Sequence, residues 1–188
     1  PDAVLASMGG DVSPVLNSFI ALISRGDAKE EDNEGVTENA VFGLGVMVTL
    51  PNFRACVQNM RTSVGSLTDM TKMWLQNMPL RSDELSSKIS SHALCNSIEQ
   101  LDPAILGEQY SNLSAILRIF AEIFIDANKN ANIPDEDKII LAQSDTMSRI
   151  VVLVKAMAAG TFNGVTGPVM SAAYGVLSAE QQHVLSTL

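Results

Sequence analysis

Two apolar helical patterns separated by a turn occupy residues 67–98, and this helix pair restricts the possible fold more than any other stretch. Pro79 and the polar run at residues 81–83 end the first helix and cap the second. Apolar residues of the second helix fall on more than one side, so we expect it to contact several neighbouring helices. The apolar positions are Leu67, Met70, Met73, Trp74 and Met78 in the first helix, and Leu85, Ile89, Ala93, Leu94 and Ile98 in the second.

The segment before this pair predicts two further helices. Residues 12–23 form an amphipathic pattern, which Asp11 or Ser13 is placed to cap. We expect an acidic, polar linker over residues 27–35 and a second helix that begins at Thr37.

Gly43 and Gly45 lie inside that second helix. Each glycine weakens a helix interior by about 1 kcal/mol relative to Ala, unless it lets another helix approach closely. The two glycines therefore predict that another helix contacts this helix closely. Pro51 ends the helix, and residues 53–64 predict a shorter helical piece.

The second half of the chain continues the same alternation of helix and turn. The strongest amphipathic stripe begins at Leu113, and a polar linker over residues 126–137 follows it. Another helix is expected from about Lys138, with its apolar face at residues 147–157. Glycines then mark a looser turn, and the run from Ser178 to Gln181 has the spacing of a capping box.

Together these patterns predict an all-α protein with almost no sheet. First and second helices alternate with a period of about 45 to 55 residues, near the upper end for two-helix solenoid repeats. We place approximate repeats at 1–51, 53–101 and 103–159, followed by a terminal helical cap at 160–188. Periodicity alone supports a solenoid and a compact irregular bundle equally well.

Composition and charge narrow the classes of function. The chain has 46% hydrophobic residues, which fits a folded protein, and a net charge of −9. This charge argues against binding a nucleic acid backbone over a broad face, and favours either a basic partner or simple solubility. Two cysteines without zinc-site spacing indicate a reducing compartment.

The start of the chain and its most apolar late segment lead to two more expectations. The chain starts without Met or a signal-type apolar core, so we expect it to be a piece of a longer protein. Charged residues interrupt the apolar segment at 139–159, so we expect no membrane span there.

Signals for chemistry are weak, and we expect neither an enzyme nor a bound cofactor. His92 and His183 have no nucleophile motif beside them, and the glycine groups lack the pattern of a nucleotide loop. One alternative is calcium binding, because the stretch 126–137 imitates a calcium loop between two helices. Ala131 stands there where glycine is expected, and Asp137 where a bidentate glutamate is expected.

Several motifs in order resemble a known family. They are the turn from Trp74 to Glu84, the helix end at 94–99, the connector at 103–107, the stretch 112–122, the earlier run 38–45, and the ending 177–182. They are similar to the C-terminal HEAT repeats of importin-β-type nuclear transport receptors, and closest to the importin-5 class. The resemblance implies a right-handed superhelix of antiparallel helix pairs.

The resemblance also implies a function. Such receptors shuttle between cytoplasm and nucleus and carry cargo proteins with basic import signals. The full-length receptor also binds Ran-GTP and nucleoporins, and the main Ran-binding repeats lie outside this chain. We expect no direct nucleic acid binding and no covalent chemistry. A helical scaffold unrelated to transport remains an alternative.

In such a receptor the second helices line the concave wall, so their polar residues are the candidates for partner binding. On the helix after Pro79 we expect Leu85, Ile89 and Leu94 to meet other helices. We expect Glu84, Lys88 and Ser91 to remain open along the inner wall. The full set is Glu34, Glu38, Asn39, Glu84, Lys88, Ser91, Glu99, Asp145, Arg149 and Lys155.

Overall fold

The computed structural model describes Gly9 and residues 11–59, 66–129 and 145–188, and within these residues it contains helices and no strand. This confirms the prediction of an all-α protein. The helices are α1 (Ser13–Ile23), α2 (Glu31–Thr49), α3 (Pro51–Asn59), α4 (Leu67–Asn77), α5 (Glu84–Glu99), α6 (Pro103–Leu106), α7 (Leu113–Lys129), α8 (Asp145–Ala158), α9 (Gly167–Gly175) and α10 (Ala179–Ser186), with one 3-10 turn at Glu108–Tyr110.

Local capping explains where several helices begin. Ser66 and Asp69 form a reciprocal capping box at the start of α4. The predicted capping box at Ser178 and Gln181 is confirmed at the start of α10. Asp83 accepts a hydrogen bond from the Ser86 N–H at 2.7 Å, as the polar run before α5 predicts.

Two predicted linkers are shorter in the structure. Helix α2 begins at Glu31 rather than at Thr37, because acidic residues in its first turn are favoured by the positive end of the helix dipole. Helix α7 extends to Lys129, so residues 126–129 are helical. The rest of the predicted linker and the expected helix start near Lys138 lie outside the described residues, as do residues 60–64.

Residues 1–93 form one compact unit, in which α2 is the central helix. Helix α2 packs against α1, α3 and α4, and it buries Leu44, Met47 and Val48. The predicted close approach is confirmed, because a Cβ on Gly43 would lie 2.4 Å from the Phe19 ring, and one on Gly45 would lie 2.5 Å from Trp74 Nε1. The two glycines therefore let α1 and α4 contact α2 closely.

Residues 94–188 form the second compact unit, in which α7 is central. Helix α7 packs against α8, α9 and α10 and buries an apolar stripe that includes Ile116, Leu117 and Phe120. The turn before α9 is fixed by Tyr110, whose hydroxyl donates a hydrogen bond of 2.6 Å to the Asn163 carbonyl. The border between the units falls inside α5, and the predicted repeat borders stay a prediction.

The described helices differ from membrane-spanning helices in length or composition. None of them alone combines the length and apolar composition that a bilayer span needs. Helix α2 together with residues 51–57 meets both measures, as a pair bent by 91°.

Candidate partner-binding surface

The first turn of α2 and the residue before it carry a group of exposed carboxylates, here called the acidic start of α2. It consists of Glu30, Glu31, Asp32 and Glu34, and none of them has a side-chain hydrogen bond or ion pair within the described part of the chain. Val36 follows on the same helix with 49% of its surface exposed. Arg25 is near enough to interact electrostatically with Glu30. The structure thus presents exposed negative charge beside an exposed apolar side chain.

Glu38 lies two turns further along α2, and the structure shows that its carboxylate has an internal role. Its oxygens accept hydrogen bonds from the backbone N–H groups of Arg81 and Ser82 at 2.6 to 2.8 Å, and from the Ser82 hydroxyl at 2.6 Å. Glu38 therefore attaches the turn before α5 to α2. The neighbouring Asn39 is exposed.

On α5, the predicted assignment of inner and outer faces is partly wrong. Ser91 is 1% exposed, whereas Leu85 and Ile89 are 64% and 43% exposed. The inner face instead combines small serines with Leu94, and Ser87 Oγ donates a hydrogen bond to the Leu80 carbonyl at 2.6 Å. The buried side of α5 therefore includes small hydroxyl residues, while Leu85 and Ile89 lie on its exposed side.

The two remaining candidates on this part of α5 differ in what the structure shows. Lys88 is half-buried. The side chain of Glu84 lies outside the described residues, so its predicted role stays a prediction.

A small apolar depression of about 80 Å³ lies beside Ile89. Trp74, Gly45 and Phe42 line it, with Leu50 and Ile89 partly exposed at its edge. Trp74 Nε1 is buried and has no hydrogen-bond partner within the described residues. This feature was missed from the sequence, where Leu85 and Ile89 were interpreted as buried, although their four-residue spacing does place them on one side of the helix.

In the second unit, the candidates Glu99 and Arg149 bind each other. Arg149 Nη2 donates to Glu99 Oε2 at 2.7 Å and to Asn96 Oδ1 at 2.6 Å, and Nε donates to Glu99 Oε1 at 3.1 Å. Asp145 is exposed at the first residue of α8, and Lys155 is exposed in its last turn.

Cys95 lies next to this ion pair, and its thiol is buried. Burial raises the pKa of Cys95 to about 12, although the Arg149 guanidinium acts in the opposite direction. A thiol with so high a pKa is almost wholly protonated near neutral pH, and it is therefore a poor nucleophile.

Possible metal ligands are scattered over the described ranges. These ranges contain no group of three or more His, Cys, Asp or Glu side chains that could hold an ion. Of the calcium-like stretch, Asp126 and Asn128 lie in the last two turns of α7, and residues 130–137 fall outside the described ranges.

A scan of the sequence against models of known protein families gave no match. The candidate residues therefore have to be interpreted from their geometry. Among them, the structure places Glu34 within the acidic start of α2 and pairs Glu99 with Arg149, while Ser91 is enclosed in the core of the first unit.

Proposed function

We propose that the chain is a protein-binding helical module that receives a basic segment of a partner protein at the acidic start of α2. The observation that carries this proposal is the group of four exposed carboxylates, Glu30, Glu31, Asp32 and Glu34, none of which forms a hydrogen bond or ion pair with a described side chain. Lys and Arg side chains are the natural counterions of such a group. The proposed activity is binding rather than catalysis.

The partner also needs an apolar side chain in this proposal. Val36 is half exposed and lies one helical turn after Asp32, so a residue next to the basic side chains contacts it directly. Burial of apolar surface contributes about 25 cal/mol per Å², whereas exposed ion pairs contribute little and mainly steer the encounter. A short peptide that alternates basic and apolar residues fits both parts of the surface.

We further propose that the whole protein is an importin-β-type transport receptor of which this chain is a C-terminal part. Two features support this proposal: α1 packs against α2 and α2 against α4, as successive helix pairs of a HEAT array do, and the Trp74 to Glu84 turn carries the family-like motif. In that case cargo with a basic import signal is the partner, and Ran-GTP and nucleoporins act on the full-length receptor. Such a receptor shuttles between cytoplasm and nucleus.

The test is a binding measurement with a labelled peptide of alternating Lys, Arg and Leu. Fluorescence anisotropy at about 0.1 M salt, where the Debye length is about 10 Å, gives the dissociation constant. Exposed ion pairs contribute about 0.5 kcal/mol each, so the variant with Glu31→Gln, Asp32→Asn and Glu34→Gln together should bind about 10-fold more weakly.

The control removes one exposed negative charge elsewhere. Glu180→Gln changes an exposed carboxylate on α10 of the other unit and should leave the dissociation constant unchanged. Equal binding by the triple variant and the unmodified chain would show that the acidic start of α2 does not receive the peptide. If the alternating peptide binds but an import-signal peptide does not, the transport part of the proposal is refuted and the binding of basic segments is not.

A further inference from the structure

The second unit contains an open groove that the acidic surface does not use, here called the α8–α10 groove. It has a volume of about 510 Å³, within the range of 300 to 1,000 Å³ typical of ligand sites. Helices α8, α9 and α10 each contribute to its lining. Its walls include Val154, Met170, Tyr174, Leu185 and Leu188.

Small residues explain why the groove is open. Ala158, Gly167 and Ser171 line it from α8 and α9, and all three are exposed. They leave Met170 partly exposed between the helices, above the buried Leu185. Tyr174 is held in place, because its hydroxyl donates a hydrogen bond to the Gln182 carbonyl. The groove is thus a preformed apolar surface with a low rim.

One charged side chain lines the groove. Lys155 is exposed in the last turn of α8, and its ammonium makes no hydrogen bond or ion pair with any described residue. The arginines of this unit differ, because Arg118 pairs with Glu122 and Arg149 pairs with Glu99. The charge on Lys155 is therefore available to a partner.

We propose that the α8–α10 groove binds a short amphipathic helix whose apolar side chains fill the groove and whose acidic residue pairs with Lys155. Because the groove is open and residues of three helices line it, it suits a peptide laid along the surface better than an enclosed small molecule. An acidic partner is required because the exposed cation of the groove is Lys155. This partner is opposite in charge to the one proposed for the acidic start of α2.

The experiment uses the full 188-residue chain and two designed probes. Both are labelled 14-residue peptides with Leu at positions i, i+3, i+4 and i+7, and they differ only in flanking Glu or flanking Lys residues. Fluorescence anisotropy should show that the Glu peptide binds at least about 5-fold more tightly than the Lys peptide. Lys155→Glu should weaken the Glu peptide by about 5-fold and reverse the preference.

Two more variants separate groove binding from general charge effects. Ser171→Trp places a large ring inside the groove and should abolish binding of both peptides. Val152→Trp adds the same ring on the 66% exposed side of α8, outside the groove, and should change nothing. Circular dichroism at 222 nm verifies that each variant is folded. If Ser171→Trp fails to fold, Lys155→Glu still tests the proposal, because it changes an exposed side chain.

Three results would overturn the proposal. They are no binding of either peptide, equal binding of the Glu peptide by Lys155→Glu and the unmodified chain, and unchanged binding by folded Ser171→Trp. Decanoate serves as a third probe. Binding of decanoate without binding of the Glu peptide would assign the groove to a small anionic amphiphile and contradict the peptide proposal.

Discussion

Substituting Gly45 by alanine tests the packing of the first unit. Helix propensity predicts that this substitution stabilises the protein, whereas the contact with a neighbouring helix predicts that it destabilises the protein. Alanine in place of glycine stabilises a helix interior by about 1 kcal/mol. At Gly45, however, the added Cβ would lie 2.5 Å from Trp74 Nε1 and 2.9 Å from Cε2. Trp74 is completely buried, so the ring cannot simply turn into solvent.

The size of the effect follows from these two contributions. Overpacking a core costs about 1 to 3 kcal/mol, and the depression of about 80 Å³ beside the ring takes up part of the shift. A cost of about 2 kcal/mol less the helix gain of about 1 kcal/mol leaves Gly45→Ala less stable by about 1 kcal/mol. The matched control is Gly35→Ala on the same helix, where no atom lies within 4 Å of the new Cβ, and it should stabilise by about 0.5 to 1 kcal/mol.

The assay is urea unfolding followed by the fluorescence of Trp74, the only tryptophan, which reports on the first unit. The two variants should differ by about 2 kcal/mol in the free energy of unfolding. In a Trp74→Phe background, followed by circular dichroism, the cost of Gly45→Ala should shrink because the contacting ring is smaller. A Gly45→Ala protein that is as stable as Gly35→Ala would refute the close contact between α2 and α4.

Four further outcomes can be measured on the same protein. Glu38→Ala should lower the stability of the first unit by about 1 to 2 kcal/mol in urea unfolding, because the turn before α5 loses a charged acceptor. In the native chain at pH 8, iodoacetamide should modify the half-buried Cys56 but not Cys95, as read by mass spectrometry. Folding raises the pKa of Cys95 from 9.0 to about 12, so between these pH values the folded state keeps a thiol proton that the unfolded state loses. The free energy of unfolding should therefore fall as the pH rises from 9 to 12, and Cys95→Ala should remove this pH dependence. Gln109→Gly should raise the melting temperature, since Gln109 adopts φ 51° and glycine reaches that region at about 1 kcal/mol less cost.

The sequence predicted those parts of the fold that depend on neighbouring residues. Helices begin at Leu67 and Leu113 where apolar periodicity starts, and the capping box at Ser178 is formed as expected. Gly43 and Gly45 were assigned to close contacts for the correct physical reason, because two glycines inside a helix need a compensating contact. Each of these signals is contained within a few residues.

Features that depend on packing between distant residues could not be predicted. Which side of α5 is buried depends on the helices it meets, so Ser91 proved buried and Leu85 exposed although side-chain size alone suggests the reverse. The role of Glu38 depends on a turn 43 residues away. The early start of α2 was missed because its acidic first turn has no apolar periodicity, although such residues favour a helix N-terminus.

The residues of the candidate surface could be listed from the sequence, but several of their contacts could not. Net negative charge favoured either a basic partner or simple solubility, and the acidic run before Gly35 was visible in the sequence. The pairing of Arg149 with Glu99 needed the structure, because these residues lie 50 positions apart. The α8–α10 groove also required the structure, since the small residues that open it come from different helices.

The most direct test of basic-segment binding is a chemical-shift map of the ¹⁵N-labelled chain titrated with the alternating Lys, Arg and Leu peptide. The shifts should be concentrated at residues 30–39, where the acidic start of α2 and Val36 lie, and should fade as the salt concentration rises. A map without perturbed signals in that stretch, or one whose perturbed signals fall only in residues 145–188, would contradict the proposed function.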